Sequence, residues 1–189
     1  LYGGTIAKVW DLERDGSEVA LEGHKGWISG LVFTADGQTL ISSSADQTIR
    51  FWSSATWQPL GMLRGHLEEI RAIALSPDEE SLLSSSRDGS VLVWDALPSE
   101  EVPEYRMLPE TRVAFRFCPV RLELAAIKHS ENRREVWIWT GPDWLRSPPI
   151  QALGDQVRDI FYAPDGGSLV ALGPDALKVY SFDTGSLHI

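Results

Sequence analysis

The chain has 189 residues, 43% of them hydrophobic and 23% charged, with a formal net charge of −10. That acidity argues against a protein that tracks nucleic-acid phosphates or an anionic lipid surface, and no apolar run approaches the roughly 20 residues needed to cross a bilayer. Neither a nucleic-acid nor a membrane partner is expected. The single cysteine, Cys118, allows no intrachain disulfide and points to a reducing, cytoplasmic setting.

In chain order, the first predicted element is a strand closing on Trp10-Asp11, inside a partial unit spanning about 1–22. A full unit follows at 23–64, with short strands predicted at 27–33, 38–43, 48–52 and 57–63. Asp36-Gly37 and Asp46-Gln47 mark two of its turns, and Gly23 to Lys25 the break ahead of it. The first of these strands carries Ile28, Leu31, Val32 and Phe33, an almost continuous apolar run suited to a strand packed on both faces. Further units are placed at 65–107, 108–152 and 153–189, and no stretch shows a helical apolar period.

The units repeat one another. Residues 23–52 align without a gap on residues 65–94, at a spacing of 42 that carries His24 onto His66, Ser42 onto Ser84, Asp46 onto Asp88 and Trp52 onto Trp94. Trp10 precedes Trp52 by the same 42 residues, Trp139 follows Trp94 by 45, and Tyr180 follows Trp139 by 41. The extra length between Trp94 and Trp139 is assigned to a polar loop extension, Lys-His-Ser-Glu-Asn-Arg-Arg-Glu at 128–135. A period of about 40–45 residues, opening on Gly-His and closing on Trp-Asp, is the signature of a propeller blade.

These residues resemble the WD-repeat family, most closely over 23–95 and with more divergence over 96–189. The resemblance implies an all-β propeller of four-stranded antiparallel blades. The chain opens at the turn and third strand of one blade and closes in a fourth strand near Leu187, so the ring is expected to be incomplete and part of a longer protein. The resemblance also implies a buried structural network in each blade: His24, Ser42, Asp46 and Trp52 in one, His66, Ser84, Asp88 and Trp94 in the next. Ser44 and Ser86 are rival choices for the hydroxyl. The third full unit has Leu108-Pro109 and Thr111 where Gly-His belongs, and the fourth has Gly154-Asp155, Asp175 and Tyr180. Those two are expected to be held mainly by packing.

Ser, His and Asp in one unit invite a hydrolase reading. The set occurs twice at one offset, however, which a repeated fold requires and a single active site does not. No catalytic residue, metal ligand set or cofactor is therefore assigned. The acidic turns at Asp36, Asp78 and Asp165 recur as blade loops, not as calcium sites. Trp10, Trp52, Trp94 and Trp139 are assigned to blade cores, leaving Trp27, Trp57, Trp137 and Trp144 outside that scheme.

Partner contact is expected on a blade rim. Two positions per unit face it: Ser29, Arg71, Val113 and Arg158 early in the inner strand, and Ala45 and Arg87 ahead of the turn Asp. Trp27, Glu69, Thr111 and Gln156 flank them. Arg71, Arg87 and Arg158 suit carboxylates or phosphates, and Trp27 suits an aromatic anchor. The rim candidates are thus Trp27, Glu69, Arg71, Arg87 and Arg158, for a protein or peptide partner with acidic or phosphorylated groups. The first functional reading is a non-catalytic binding scaffold. The alternative is a sensor or autoinhibitory domain acting on other domains of its own full-length chain, in a signalling protein such as a kinase, protease or nucleotide-switch ATPase. A propeller enzyme or sugar binder is the third reading, and it needs convergent titratable groups or paired exposed Trp at one rim.

Overall fold

A computed structural model of the chain describes residues 4–11, 16–95, 105–108, 115–130, 133–141, 145–154, 156–174 and 176–188. Its regular structure is β-strand, with a single 3₁₀ turn at Gln151–Leu153 among the described residues. The strands are β1 Ala7–Trp10, β2 Glu18–Leu21, β3 Ile28–Phe33, β4 Thr39–Ser44, β5 Thr48–Ser53, β6 Pro59–Arg64, β7 Ile70–Leu75, β8 Ser81–Ser86 and β9 Val91–Asp95. They continue as β10 Tyr105–Leu108, β11 Phe115–Phe117, β12 Glu123–Ser130, β13 Arg133–Thr140, β14 Leu145–Arg146, β15 Asp159–Tyr162, β16 Ser168–Leu172, β17 Leu177–Ser181 and β18 Ser186–His188. Neighbours in sequence pair as neighbours in space, giving the two-stranded sheet β1–β2 and four four-stranded antiparallel sheets: β3 to β6, β7 to β10, β11 to β14 and β15 to β18. No described sheet closes on itself. These are propeller-type blades.

The chain divides into two compact units, Leu1–Leu75 with Ser81–Met107, and Ser76–Glu80 with Leu108–Ile189. Within the first, the sheets stack face to face. Ile41, Ile49, Phe51 and Leu63 of one blade share a buried cluster with Ile70, Leu82, Leu92 and Trp94 of the next. On the opposite face, Leu40 and Trp52 pack on Ala7 and Leu21 of the two-stranded sheet. The alternation of side chains along a strand thus feeds two interfaces at once, which is why β4 is buried over five consecutive residues. In the second unit, Ala125, Ile127, Val136 and Ile138 pack against Val157, Ile160, Leu169 and Ala171.

Residues 128–130 and 133–135 of the polar stretch are strand and not loop. Lys128 pairs with Glu135, His129 with Arg134 and Ser130 with Arg133, so β12 and β13 run to eight residues each and the added length makes a longer hairpin.

Between second and third strands, the residue after the turn Asp takes a left-handed backbone in both well-matched blades: Gln47 has φ 71 and Gly89 has φ 86. A side chain in that region carries a steric cost of about 1 kcal/mol that glycine avoids. Exchanging the two residue types is expected to act in opposite directions. Gln47→Gly raises stability and Gly89→Gln lowers it, each by about 1 kcal/mol, as read from urea midpoints at unchanged m.

Candidate functional site

Two neighbouring blades of the first unit build the same polar relay. In the blade of β3 to β6, the Trp52 indole N–H donates to Ser42 Oγ at 2.8 Å, and Ser42 Oγ lies 2.8 Å from His24 Nε2. His24 Nδ1 faces Asp46 Oδ2 at 3.0 Å. Every group is satisfied when the Ser42 hydroxyl donates to Nε2 and Nδ1–H donates to the carboxylate, the tautomer this network selects. The blade of β7 to β10 repeats it: Trp94 Nε1 to Ser84 Oγ at 2.8 Å, Ser84 Oγ to His66 Nε2 at 2.7 Å, and His66 Nδ1 to Asp88 Oδ2 at 3.3 Å. Ser42 and Ser84 are fully buried.

Ser44 and Ser86 do separate work. They donate to the carbonyls of Gly26 and Glu68 and accept the backbone N–H of Asp46 and Asp88, which fixes the turn. A further member of each relay was not singled out from the sequence. Thr48 Oγ1 donates to Asp46 Oδ1 at 2.6 Å and lies 3.3 Å from His24 Nδ1, and Ser90 takes the same place beside Asp88 and His66. The signal was present: a hydroxyl residue stands two positions after each turn Asp, at the 42-residue spacing. Gly23, of the Gly-His pair, has φ +149, and a Cβ there would come within 2.7 Å of the Arg50 guanidinium.

Burial pushes the His24 and His66 imidazoles below the ordinary histidine range, since losing water penalises the charged ring more than the facing Asp46 and Asp88 favour it. Burial alone would raise both carboxyls. Hydrogen bonds from Thr48 and the Lys25 amide to Asp46, and from Ser90 and the Leu67 amide to Asp88, outweigh it and hold each at about 2.

The rim lies at the end of this relay. β3 and β7 each carry a bulge, between Ile28 and Gly30 and between Ile70 and Ala72, so Ser29 and Arg71 are the bulged residues. A bulge re-aims the side chain it carries. Ser29 Oγ turns to Ser43 Oγ at 2.9 Å, while Arg71 reaches outward with 56% of its side chain exposed. The Ala45 amide donates to the Trp27 carbonyl and the Arg87 amide to the Glu69 carbonyl, both at 2.9 Å, so Trp27 and Glu69 hold the same corner of adjacent blades. The structure therefore gathers Glu69, Arg71 and Arg87 at one corner, with Arg71 NH2 3.9 Å and Arg87 NH1 3.7 Å from the Glu69 carboxylate. Arg87 Nε also lies 3.8 Å from Glu68. Trp27 is half-buried. Arg158 is exposed ahead of β15 and belongs to the second unit; Val113 and Thr111 fall outside the described residues.

The blades of the second unit are not held by packing alone. The Tyr162 hydroxyl donates to Glu123 Oε1 at 2.7 Å, and Arg121 Nε lies 3.5 Å from Glu123 Oε2. Arg121 also donates to the Gly166 carbonyl at 2.8 Å and sits over the Phe182 ring. This lock ties one blade to the next, whereas the histidine relay works inside a blade. Burial and the Glu123 carboxylate push the Tyr162 phenol strongly upward, keeping it a donor.

Trp52, Trp94 and Trp139 are buried, but Trp10 is 55% exposed, which corrects its assignment to a blade core. Among the described residues, β1 pairs with β2 alone, where Trp10 stands opposite Glu18. Trp57 packs on the cluster around Leu40 and Trp52, and Trp137 lies beneath the Arg146 guanidinium at 4.4 Å. Trp144 is outside the described residues. Among those residues no group of three His, Cys, Asp or Glu is placed to hold a metal ion.

The family model for the WD domain, G-beta repeat, matches residues 17–53 and 57–95. A stretch of 47 residues is 36% identical to DDB1- and CUL4-associated factor 13 of Dictyostelium discoideum, covering 25% of this chain and 11% of that protein. Stretches of 47 residues are also 38% and 34% identical to Apoptotic protease-activating factor 1 of Danio rerio and of Homo sapiens, each covering 25% of this chain and 4% of the relative. The chain thus aligns with a small part of the length of each relative.

Removing one relay imidazole strands a buried hydroxyl and leaves a cavity. His66→Ala is expected to cost about 2–4 kcal/mol of unfolding free energy, while Leu67→Ala, at a side chain 81% exposed, stays within about 0.5 kcal/mol of the parent. Acid should act in two stages. The unfolded chain binds protons that the folded imidazoles refuse, so stability is full above about pH 6.5 and declines as pH falls below it. The carboxyls of Asp46 and Asp88 add a second loss as pH falls from about 3.9 toward about 2. Thermal melts from about pH 8 to about pH 2 check both, and in the double variant His24→Asn with His66→Asn the first stage should shrink.

Proposed function

Because residues 17–53 and 57–95 are WD repeats of the G-beta type, we propose that this chain is a non-catalytic module that docks a protein or peptide segment on the rim bearing Trp27, Glu69, Arg71 and Arg87. The observation that carries this reading is the corner itself. Two guanidiniums more than half exposed are gathered around one carboxylate and held by it at 3.7–3.9 Å. Ion pairs this exposed are worth about 0–1 kcal/mol. A partner carboxylate or phosphate that engages both forks therefore displaces Glu69 at little cost and gains stronger, bidentate bonds. The fitting partner is an acidic or phosphorylated segment, with Trp27 at the matching corner of the adjacent blade as its apolar anchor. We place Arg158, which stands at the same position of a later repeat, in the same role.

The relay supports the non-catalytic part of the reading. Ser42 and Ser84, the candidate nucleophiles, are fully buried and already accept a tryptophan N–H. A substrate carbonyl has no approach to either hydroxyl without dismantling the blade.

A second reading follows from the relatives. The matched stretch is 4% of a protein named for activating a protease. A segment of this kind inside a larger signalling chain can take another domain of the same molecule as its partner, and the Arg71–Arg87 corner would then meet an acidic surface in cis.

The corner is testable without knowing the partner in advance. Acidic and phosphorylated peptides selected on an array by the wild-type protein are re-measured by fluorescence anisotropy. The double variant Arg71→Glu with Arg87→Glu is expected to weaken them by about 1–3 kcal/mol, with a Kd that also rises with salt. Unchanged affinity in that variant rules this corner out.

A further inference from the structure

The blade of β15 to β18 lacks the relay's hydroxyl and imidazole, and a cavity stands where they would be. Leu40 faces Trp52 and Ser42 faces Arg50 across β4 and β5; Leu169 faces Tyr180 and Ala171 faces Lys178 across β16 and β17. Ala171 thus takes the place of the relay serine, and residues 150–158, leading into β15, contain no histidine. Between that segment and the β16–β17 turn lies a cavity of about 260 Å³. Its floor is core, since Leu153, Val157 and Ala171 are all buried. The volume is below the roughly 300–1,000 Å³ of a pocket for a drug-sized ligand, and suits a single apolar residue.

Two polar side chains also line it. Lys178 is half-buried; its ammonium donates to the Leu153 carbonyl at 3.0 Å and, among the described residues, meets no carboxylate. Gln156 is exposed, at the repeat position that Trp27 and Glu69 hold in the first unit. Gly154 keeps the ammonium approachable: its backbone is left-handed at φ +80, and a Cβ there would come within 3.1 Å of Lys178 Nζ. Asp155 and Asp175 lie outside the described residues. Withdrawing an ammonium from water without a counter-charge is unfavourable, so an anion entering the cavity is favoured there.

We propose that this cavity captures the C-terminal residue of a partner polypeptide. An apolar side chain rests on Leu153, Val157 and Ala171, and the terminal carboxylate accepts from the Lys178 ammonium and the Gln156 amide. The single-residue volume decides between acidic groups. It requires a carboxylate and an apolar side chain on one residue, and in a polypeptide only the last residue carries both. An internal Asp or Glu brings the charge and leaves the apolar floor unfilled. The site shares no residue with the corner of Arg71 and Arg87, so either can fail without the other.

Fluorescence anisotropy on the full-length protein tests this, with degenerate peptides labelled at the N-terminus and ending in leucine, as free acid and as amide. The acid should bind saturably and the amide about tenfold or more weaker. Lys178→Met, which keeps the aliphatic stem, should bring the acid to the level of the amide, and Lys178→Arg should restore most of the difference. Ala176→Leu, at a half-buried lining residue, fills the cavity and leaves the ammonium in place; it should weaken both forms without lowering the melting temperature. N-acetylleucine should compete, about tenfold or more weaker than the peptide acid. Equal binding of acid and amide, no saturable binding of either, or binding that Lys178→Met or Ala176→Leu leaves intact would overturn the proposal. N-acetylleucine binding as tightly as the peptide would assign the cavity to a free small acid and overturn it equally.

Discussion

The blades of the first unit depend on one buried hydrogen-bond chain: indole to hydroxyl, hydroxyl to imidazole, imidazole to carboxylate. It crosses the sheet, linking the third strand to the second and then leaving the sheet for the segment ahead of the first. Inter-strand bonds alone would leave that entering segment unregistered, because it is not part of a strand. Asp46 completes the tie by accepting the Lys25 amide with the oxygen that faces His24, so one carboxylate holds both the imidazole and the backbone that carries it. Asp88 does the same with the Leu67 amide. The rim residues are set by this arrangement. Trp27 and Glu69 begin three residues after their histidines, and Ala45 and Arg87 stand directly ahead of the relay aspartates.

Much of this was legible in the sequence because the relay uses residue types that are rare in combination and recur at a fixed offset. His, Asp and Trp at matching places in two units exclude chance and identify the strands between them. The blade architecture follows from that offset, and the strand boundaries lie within two residues of those the turn residues mark. What the sequence concealed has physical causes. The bulges at Ser29 and Arg71 leave no compositional trace, since the extra residue is one more position in an ordinary strand, yet they decide where Arg71 points. The paired residues 128–130 and 133–135 read as a loop by polarity, because backbone pairing between strands does not require apolar side chains.

The second unit shows how the same architecture tolerates losing the relay. Where Gly-His is absent, Tyr162, Glu123 and Arg121 make a lock from one blade to the next, reinforced by stacking of Tyr162 on Phe182 and by Arg121 over that ring. It joins Arg121 and Glu123, at the start of one strand, to Tyr162, 39 residues on from Glu123, and no motif links them. A relay inside a blade can be copied with the blade. A lock between blades cannot, since it needs two different partners, and that is why it carries no repeat signal.

The division between frame and surface follows from burial. Relay residues sit where substitution strands a partner in the core, so adjacent blades keep them nearly unchanged. The bulged position is freed from that constraint in one direction only. In one blade it holds Ser29, whose hydroxyl meets Ser43; in the next it holds Arg71, and Ser85, the counterpart of Ser43, is buried with no hydrogen-bond partner among the described residues. An unsatisfied buried hydroxyl costs about 1–3 kcal/mol. The Arg71 blade therefore gives up an internal hydrogen bond that its neighbour retains, and gains an exposed guanidinium in its place. A residue that serves folding would run the other way. The trade at this one position is the physical argument behind our proposal that the corner of Arg71, Arg87 and Glu69 meets a partner.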